Sequence, residues 1–170
     1  MRTLVPRLAP RLESVEQFAA DNPELDVSAV ITSLTLLRVG SQLLDAFDHL
    51  FSSYGLSNGR FAVMMTLRHR RGGLSPADLA EIIGVTRPTM TGLLDTLERG
   101  GMIERRPHPE DARAQMVTLS RSGKARLDRM LPSHFQRHAT IMADLSHAER
   151  AQLVKLLEKV QLRLVPTESQ

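Results

Sequence analysis

The residues best equipped for chemistry lie between positions 84 and 126. Thr86, Arg87, Pro88, Thr89 and Thr91 crowd one short stretch, and Arg105, Arg106 and Arg113 follow it, the last beside Asp111. Arginine carries a planar, permanent charge whose fork fits phosphate oxygens and guanine edges better than lysine does. Residues 84–126 hold 8 basic and 5 acidic side chains, a net +3 that equals the excess of the whole chain, 22 basic against 19 acidic. Residues 1–26, in contrast, hold 3 basic and 5 acidic side chains. A polyanion is the partner this distribution fits.

Other chemistries find less support. The 170 residues include no cysteine, which removes disulfides, thiolate-bound zinc, thiol catalysis and thiol redox sensing together. No Ser-His-Asp order, P-loop or paired catalytic carboxylate stands out, so neither an enzyme nor a cofactor is expected. His134 and His138, four residues apart, could share a metal, with Asp45, Asp48 and His49 as further ligands. No complete set occurs at short spacing, and no metal is assigned. With 42% hydrophobic and 24% charged residues the composition is that of a soluble globular protein. No apolar run approaches the roughly 18 residues of a membrane span. Pro6 and the charges of Met1–Arg7 do not fit a signal peptide, so a cytoplasmic protein without a membrane partner is expected.

The arginines and threonines need elements to hold them, and three helix starts share one grammar. Leu56-Ser57-Asn58-Gly59-Arg60-Phe61, Leu74-Ser75-Pro76-Ala77-Asp78-Leu79 and Val85-Thr86-Arg87-Pro88-Thr89-Met90 each place a hydroxyl at the N-cap between two apolar residues that can staple. Pro76 sits at a first helical position, where its missing N–H costs nothing, and Asp78 favours the positive helix end. Gly84 can take the left-handed conformation between the second and third helices, which makes the pair a helix-turn-helix. Gly100-Gly101 closes the third helix similarly. Met102–Arg106 and Gln115–Leu119 then read as short strands joined by the polar, turn-prone stretch Pro107–Ala114, a hairpin with a long tip, or wing.

On the third helix Met90, Leu93, Leu94 and Leu97 share an inward face, so Pro88, Thr91, Gly92 and Asp95 point away, with Arg87, Thr89 and Thr96 flanking. Small polar groups and one arginine are what a helix needs to enter a major groove about 12 Å wide. The helix start also offers free N–H groups and the Thr86 hydroxyl to a phosphate. An ordinary solvent-facing helix with a good cap fits the same residues. The hairpin tips the balance, because an Asp111–Arg113 contact could fix a guanidinium for a narrow minor groove.

The flanks are helical. From Val27 to about Ser53, Val27, Val30, Ile31, Leu34, Leu37, Leu44, Phe47 and Phe51 place apolar residues on more than one face, so either core neighbours or a second chain must cover this helix. A second chain is favoured, since the C-terminal stripes add to the apolar excess. Leu127, Met130, Leu131, Phe135, Ile141 and Met142 form one stripe, on a helix that Pro132 should bend. Ser146-His147-Ala148-Glu149 is a capping box that starts a last helix, with Leu153, Leu156, Leu157, Val160 and Leu164 along one face. Residues 1–26, with Pro6, Pro10 and Pro23, read as an extension with one short helix, and residues 166–170 as a polar tail.

Taken in order, Leu74–Ala80, Thr86–Thr91, Leu97–Arg105 and Asp111–Ala114 resemble the MarR family of winged helix-turn-helix transcriptional regulators. The likeness spans residues 27–165 in the order of elements and is motif-specific over about 74–120. The resemblance implies a mainly α fold with a small β-hairpin wing: a winged helix-turn-helix lobe over 56–120 and dimerisation helices over 27–53 and 121–165. It implies a homodimer on a pseudo-palindromic DNA operator, a repressor released by a small-molecule effector bound between lobe and dimerisation helices. Ser75, Thr86, Arg87, Pro88, Thr89, Thr91, Arg105, Asp111 and Arg113 are then the candidate DNA-contacting residues. Gly92 and Thr96 stand where similar regulators often carry longer polar side chains, which shifts readout toward Arg87, Thr91 and the wing. The alternative is a winged-helix module that binds protein and not DNA.

With thiol sensing removed, control should come from a reversibly bound ligand. Arg38, Ser41, Asp45 and His49 recur at helical spacing and form a polar stripe. A solvated face is the ordinary reading of such a stripe. In the cleft implied by the resemblance, Arg38 could instead grip an anionic aromatic effector.

Overall fold

The structure, a computed structural model, describes residues 22, 24–70, 72–107 and 115–164. The short helix expected before Asp26, the wing tip with Asp111 and Arg113, and the tail all lie outside the described residues. Among the described residues six helices and two strands follow in the order α1 (Val27–Ser53), α2 (Asn58–Arg68), α3 (Pro76–Ile83), α4 (Arg87–Arg99), β1 (Ile103–Pro107), β2 (Gln115–Leu119), α5 (Arg121–Ile141) and α6 (His147–Leu164). They fall into two compact units, residues 1–125 and residues 126–170, with α5 crossing the boundary.

Local chemistry sets the helix starts. Ser57 Oγ accepts from the Arg60 N–H, and Thr86 Oγ1 from the Thr89 N–H. Ser75 and Asp78 form a reciprocal capping box: the Asp78 N–H donates to Ser75 Oγ at 3.1 Å, and the Ser75 N–H to Asp78 Oδ2 at 3.4 Å. Asp26, not singled out from the sequence, caps α1 by accepting from the Ala29 N–H at 3.0 Å. That bond, helped by the Ser28 hydroxyl, holds its carboxyl below the usual aspartate range. Gly84 takes φ 72° and ψ 37°, the left-handed turn expected between α3 and α4. At the end of α4 the left-handed residue is Gly101 (φ 67°), while Gly100 stays in the right-handed region.

The core of the first unit joins α1 to α4 and the hairpin. Phe51 is buried and stacks on Phe61 of α2, with ring centroids 4.3 Å apart. Val63, Met64, Leu67, Leu79, Met90, Leu94, Leu97, Ile103 and Val117 complete a dry centre. Each such side chain contributes about 1.5–3 kcal/mol by leaving water. β1 and β2 pair antiparallel from Ile103↔Leu119 at the base to Pro107↔Gln115 toward the tip. The sequence did not predict a third partner: Leu74 makes a one-residue bridge to Val117, each N–H donating to the other's carbonyl. That bridge ties the start of α3 to the wing.

The expectation that no segment reaches membrane length is corrected by α1. Its 27 residues include an 18-residue stretch apolar enough to cross a membrane by length and composition, with none of that stretch buried within the chain. Scattered serines and threonines hid it from a search for continuous apolar runs. Several turn inward, as Thr32 and Ser33 do by donating to the Ser28 and Val30 carbonyls.

In the second unit, α5 continues through Pro132 to Ile141 as one helix. Leu127, Met130 and Leu131 are buried, whereas Phe135 is 60% exposed. α6 begins at the expected capping box, where the Ser146 N–H and hydroxyl both donate to Glu149 Oε2 at 2.7 Å. No residue of α6 is buried, and its apolar face is open.

Candidate DNA interface

Helix α4 is amphipathic in the sense the sequence dictates. Met90, Leu94 and Leu97 are buried, and Arg87, Pro88, Thr89, Thr91 and Gly92 are exposed. The hydroxyls on the outer face are already oriented. Thr86 and Thr89 share a hydrogen bond of 2.9 Å, and Thr91 Oγ1 donates to the Arg87 carbonyl at 3.1 Å. The Thr91 oxygen, its proton given to that carbonyl, keeps acceptor capacity, while the Thr91 methyl stays available for an apolar base contact. A Cβ added at Gly92 would meet open space, so this surface is shallow in its middle. Arg87 projects beyond it from the first turn and makes no ion pair among the described residues.

Ser75 is half-buried, and its hydroxyl is donated to Asp78 Oδ2 at 2.8 Å. It holds the start of α3, and its remaining capacity is that of an acceptor. The two hairpin arginines that lie within the described residues part ways. Arg105 turns back onto α4, with Nη2 on Asp95 Oδ1 and Nε 3.3 Å from Glu98 Oε2, and its side chain is 25% exposed. The contact with Glu98 is an ion pair without hydrogen-bond alignment. Arg106 is 66% exposed and pairs with Glu104 Oε2 at 2.6 Å. Arg105 thus braces the wing against the recognition helix, and Arg106 is the wing-strand arginine open to a partner. Sequence reasoning missed this brace. Its signal was present in Asp95 and Glu98, two acids one turn apart on a helix otherwise suited to an anion.

A second anchor secures the wing base. The Ser120 hydroxyl donates to the Gly101 carbonyl at 2.6 Å, the Ser120 N–H to the Met102 carbonyl at 3.0 Å, and the Gly123 N–H to Ser120 Oγ at 2.9 Å. Beside it, Arg68, His69, Arg70 and Lys124 line a cavity of about 370 Å³ with no acid among its described lining residues. On α1, Arg38, Asp45 and His49 are exposed and Ser41 is half-buried. The expected polar stripe therefore exists as a surface.

Two helices joined by a left-handed glycine turn, followed by a braced hairpin, define a winged helix-turn-helix protein. Comparison with known proteins agrees. A model of the MarR family matches residues 56–114. The HTH-type transcriptional repressor YetL of Bacillus subtilis is 36% identical over 152 residues, 87% of this chain and 89% of YetL. The HTH-type transcriptional regulator PecS of Dickeya dadantii is 33% identical over 154 residues, 89% of this chain and 92% of PecS. In fold the chain is similar to a cysteine-to-serine variant of E. coli MarR solved with operator DNA. The TM-score is 0.71 at 24% identity, covering 84% of this chain and 99% of that one. The chain belongs to the MarR family, and it is a DNA-binding transcriptional regulator, not an enzyme.

Proposed function

We propose that this regulator is a repressor that acts in the cytoplasm as a homodimer on a pseudo-palindromic operator and leaves it when a small anionic ligand binds. The carrying observation is the exposed first turn of α4, where Arg87, Thr89 and Thr91 stand over a shallow glycine surface beside a wing held by Arg105. Thr86 and the Arg87 N–H face a phosphate, since Pro88 has no N–H and the Thr89 N–H is held by the Thr86 cap, and Ser75 at the start of α3 is a further contact. Arg87, Pro88 and Thr91 meet base edges, and Arg106, Asp111 and Arg113 carry the wing to the flanking minor groove.

Dimerisation is supported by apolar surface that the chain leaves uncovered. Leu36, Leu37, Val39 and Leu44 on α1 are exposed, as are Leu153, Val154, Leu156 and Val160 on α6. The polar residues interspersed along α1 fit a helix–helix interface better than lipid. For the effector, the α1 stripe offers Arg38 as a bidentate anchor for a carboxylate, with neighbouring leucines to receive an aromatic ring. Such a ligand releases DNA only through a higher affinity for the non-binding conformation.

The test is a salt-dependent shift assay on DNA upstream of the protein's own gene, with and without aromatic acids, on the parent and Arg38→Ala. Specific binding that steepens with each phosphate contact by roughly 0.9 in log–log slope supports the reading. Binding equal on all sequences, or none, favours a winged-helix module for protein partners. An acid that releases parent and variant at one concentration removes Arg38 as its anchor.

A further inference from the structure

The connection from α2 to α3 lies against the base of the wing as closely as backbone allows. Gly73 has φ 82°, and a Cβ built on it would fall 2.5 Å from the Val117 carbonyl oxygen and 2.8 Å from the Thr118 methyl. The Gly73 N–H donates to the Arg70 carbonyl at 3.0 Å, and the Arg70 N–H to the Leu67 carbonyl at 3.0 Å. The turn that carries Arg70 is therefore fixed at both ends. On another side the Lys124 N–H donates to the Ser120 carbonyl at 2.9 Å, which seats the first turn of α5 on the same base. Between these walls is the cavity of about 370 Å³ that Arg68, His69, Arg70, Thr118 and Lys124 line. Fixed backbone here gathers like charges, which repel one another unless an anion joins them.

We propose that this cavity binds a small molecule through a phosphate group, with Arg70 as a forked donor, Lys124 as a second charge and the Thr118 hydroxyl as a further donor. Arg68 is engaged in a contact of its own, whereas Arg70 and Lys124 are exposed and make no ion pair among the described residues. A planar fork and a compact point charge are the two side-chain forms that suit phosphate oxygens. The Thr118 methyl lies against Gly73, and its hydroxyl has no partner among the described residues. Of the described lining residues Leu119 is the one apolar side chain that is not buried, so an aromatic ring finds no slot. A compact, multiply charged anion fits better, in a volume at the small end of the roughly 300–1,000 Å³ of ligand sites. Thr118 and Leu119 stand at the base of the hairpin, opposite the Pro107↔Gln115 pair that leads to the tip. That placement, away from the wing tip, favours a small ligand over duplex DNA. The site shares no residue with the Arg38 stripe and is independent of the effector proposed there. A phosphate bound in it joins the α2–α3 connection, β2 and α5, next to the Leu74–Val117 bridge that ties α3 to the wing.

Titration of the full-length protein with inorganic pyrophosphate tests this, at an ionic strength held constant with sodium chloride so that general screening does not change. A phosphate site requires saturable binding of one pyrophosphate per chain and shifts of the Gly73 and Thr118 amide resonances. Arg70→Gln and Lys124→Gln should each weaken binding about tenfold or more, the scale of losing a hydrogen bond to a charged group. Both side chains are exposed, so both variants should fold. Phosphate-type anions also stabilise folded proteins through exclusion from their surfaces, so the readout in Tm is the gain of the parent over that of the variants. Equal binding and equal Tm gains in all three proteins overturn the proposal, as does an absence of amide shifts in the parent. So does a salt slope on operator DNA that falls by about one in Arg70→Gln or Lys124→Gln, which would assign these cations to the DNA backbone.

Discussion

Arg105 on the first wing strand is ion-paired to Asp95 on the outward side of the recognition helix, ten residues earlier in the chain. The pair, with Glu98 as a second acid 3.3 Å from Arg105 Nε, ties the wing strand to α4. The pair is partly exposed, with side-chain exposures of 25% and 48%. Its coupling energy in a double-mutant cycle of Arg105→Ala and Asp95→Ala should therefore be modest, about 0.2–1 kcal/mol. Operator affinity should fall in either single variant without a change in salt slope. A slope reduced by about one on Arg105→Ala would instead make Arg105 a phosphate contact.

Arg87 is the long charged side chain on the exposed start of α4, and Gly92 leaves room beside the threonines. If its fork reads a guanine, Arg87→Ala should cost about 1–3 kcal/mol on the operator and flatten preference at one position. A panel of single-base operator variants tells the cases apart. Uniform weakening across the panel would assign Arg87 to the backbone.

The winged helix was legible in the sequence wherever short-range chemistry decides structure. Ser57, Ser75, Thr86, Gly84 and the Ser146–Glu149 box each act within a few residues, so the chain spells them out. What escaped depends on tertiary placement. The Leu74–Val117 bridge joins residues far apart, and a lone leucine gives no strand period to read. The partner of Arg105 was hidden for a related reason, because strand pairing and helix packing together aim it backward. Arg68, His69 and Arg70 stand together in the sequence, but only the fold brings Lys124 to the same cavity.

Two glycines should fail for different reasons. Gly84 has φ 72° and open space around an added Cβ, so Gly84→Ala should cost only backbone strain, about 1–2 kcal/mol. At Gly123 an added Cβ would collide with the Met102 carbonyl oxygen, which is backbone and cannot swing aside. Gly123→Ala should therefore destabilise more than Gly84→Ala and separate the wing base from α5. Urea midpoints rank the pair, and the reverse order would mean that the α5 start is free to shift.

The α6 cap carries a pH signature. Hydrogen bonds from the Ser146 hydroxyl and the Ser146 N–H hold the Glu149 carboxyl below the usual glutamate range. A group whose pKa is lowered on folding contributes stability above its unfolded pKa and loses it as pH falls through the folded one. The first turn of α6 should hold where an ordinary glutamate is half-protonated and fray only at lower pH. Amide exchange at Glu149 and Arg150 between about pH 6 and about pH 3 follows this, given an ordinary glutamate near 4.3. Glu149→Gln should remove the transition, and its persistence would locate the effect elsewhere.

The open apolar face of α6 leads to the last prediction. Leu153, Leu156, Leu157, Val160 and Leu164 recur at helical spacing, and none is buried within the chain, although a single chain in water gains by covering such surface. A second copy supplies the same surface in reverse, and a stable homodimer needs about 800 Å² of it from each partner. Leu157→Glu places a charge in the middle of that stripe, on a helix separate in sequence from the winged helix-turn-helix. It should convert a dimer into a monomer at micromolar concentration in sedimentation experiments, while the circular dichroism of the helices persists. Operator affinity should then drop by roughly 10²–10⁴, because two half-sites bound in tandem lose their shared effective concentration. A Leu157→Glu protein that sediments as a dimer would take α6 out of the interface, and a parent that sediments as a monomer would end the dimer reading altogether.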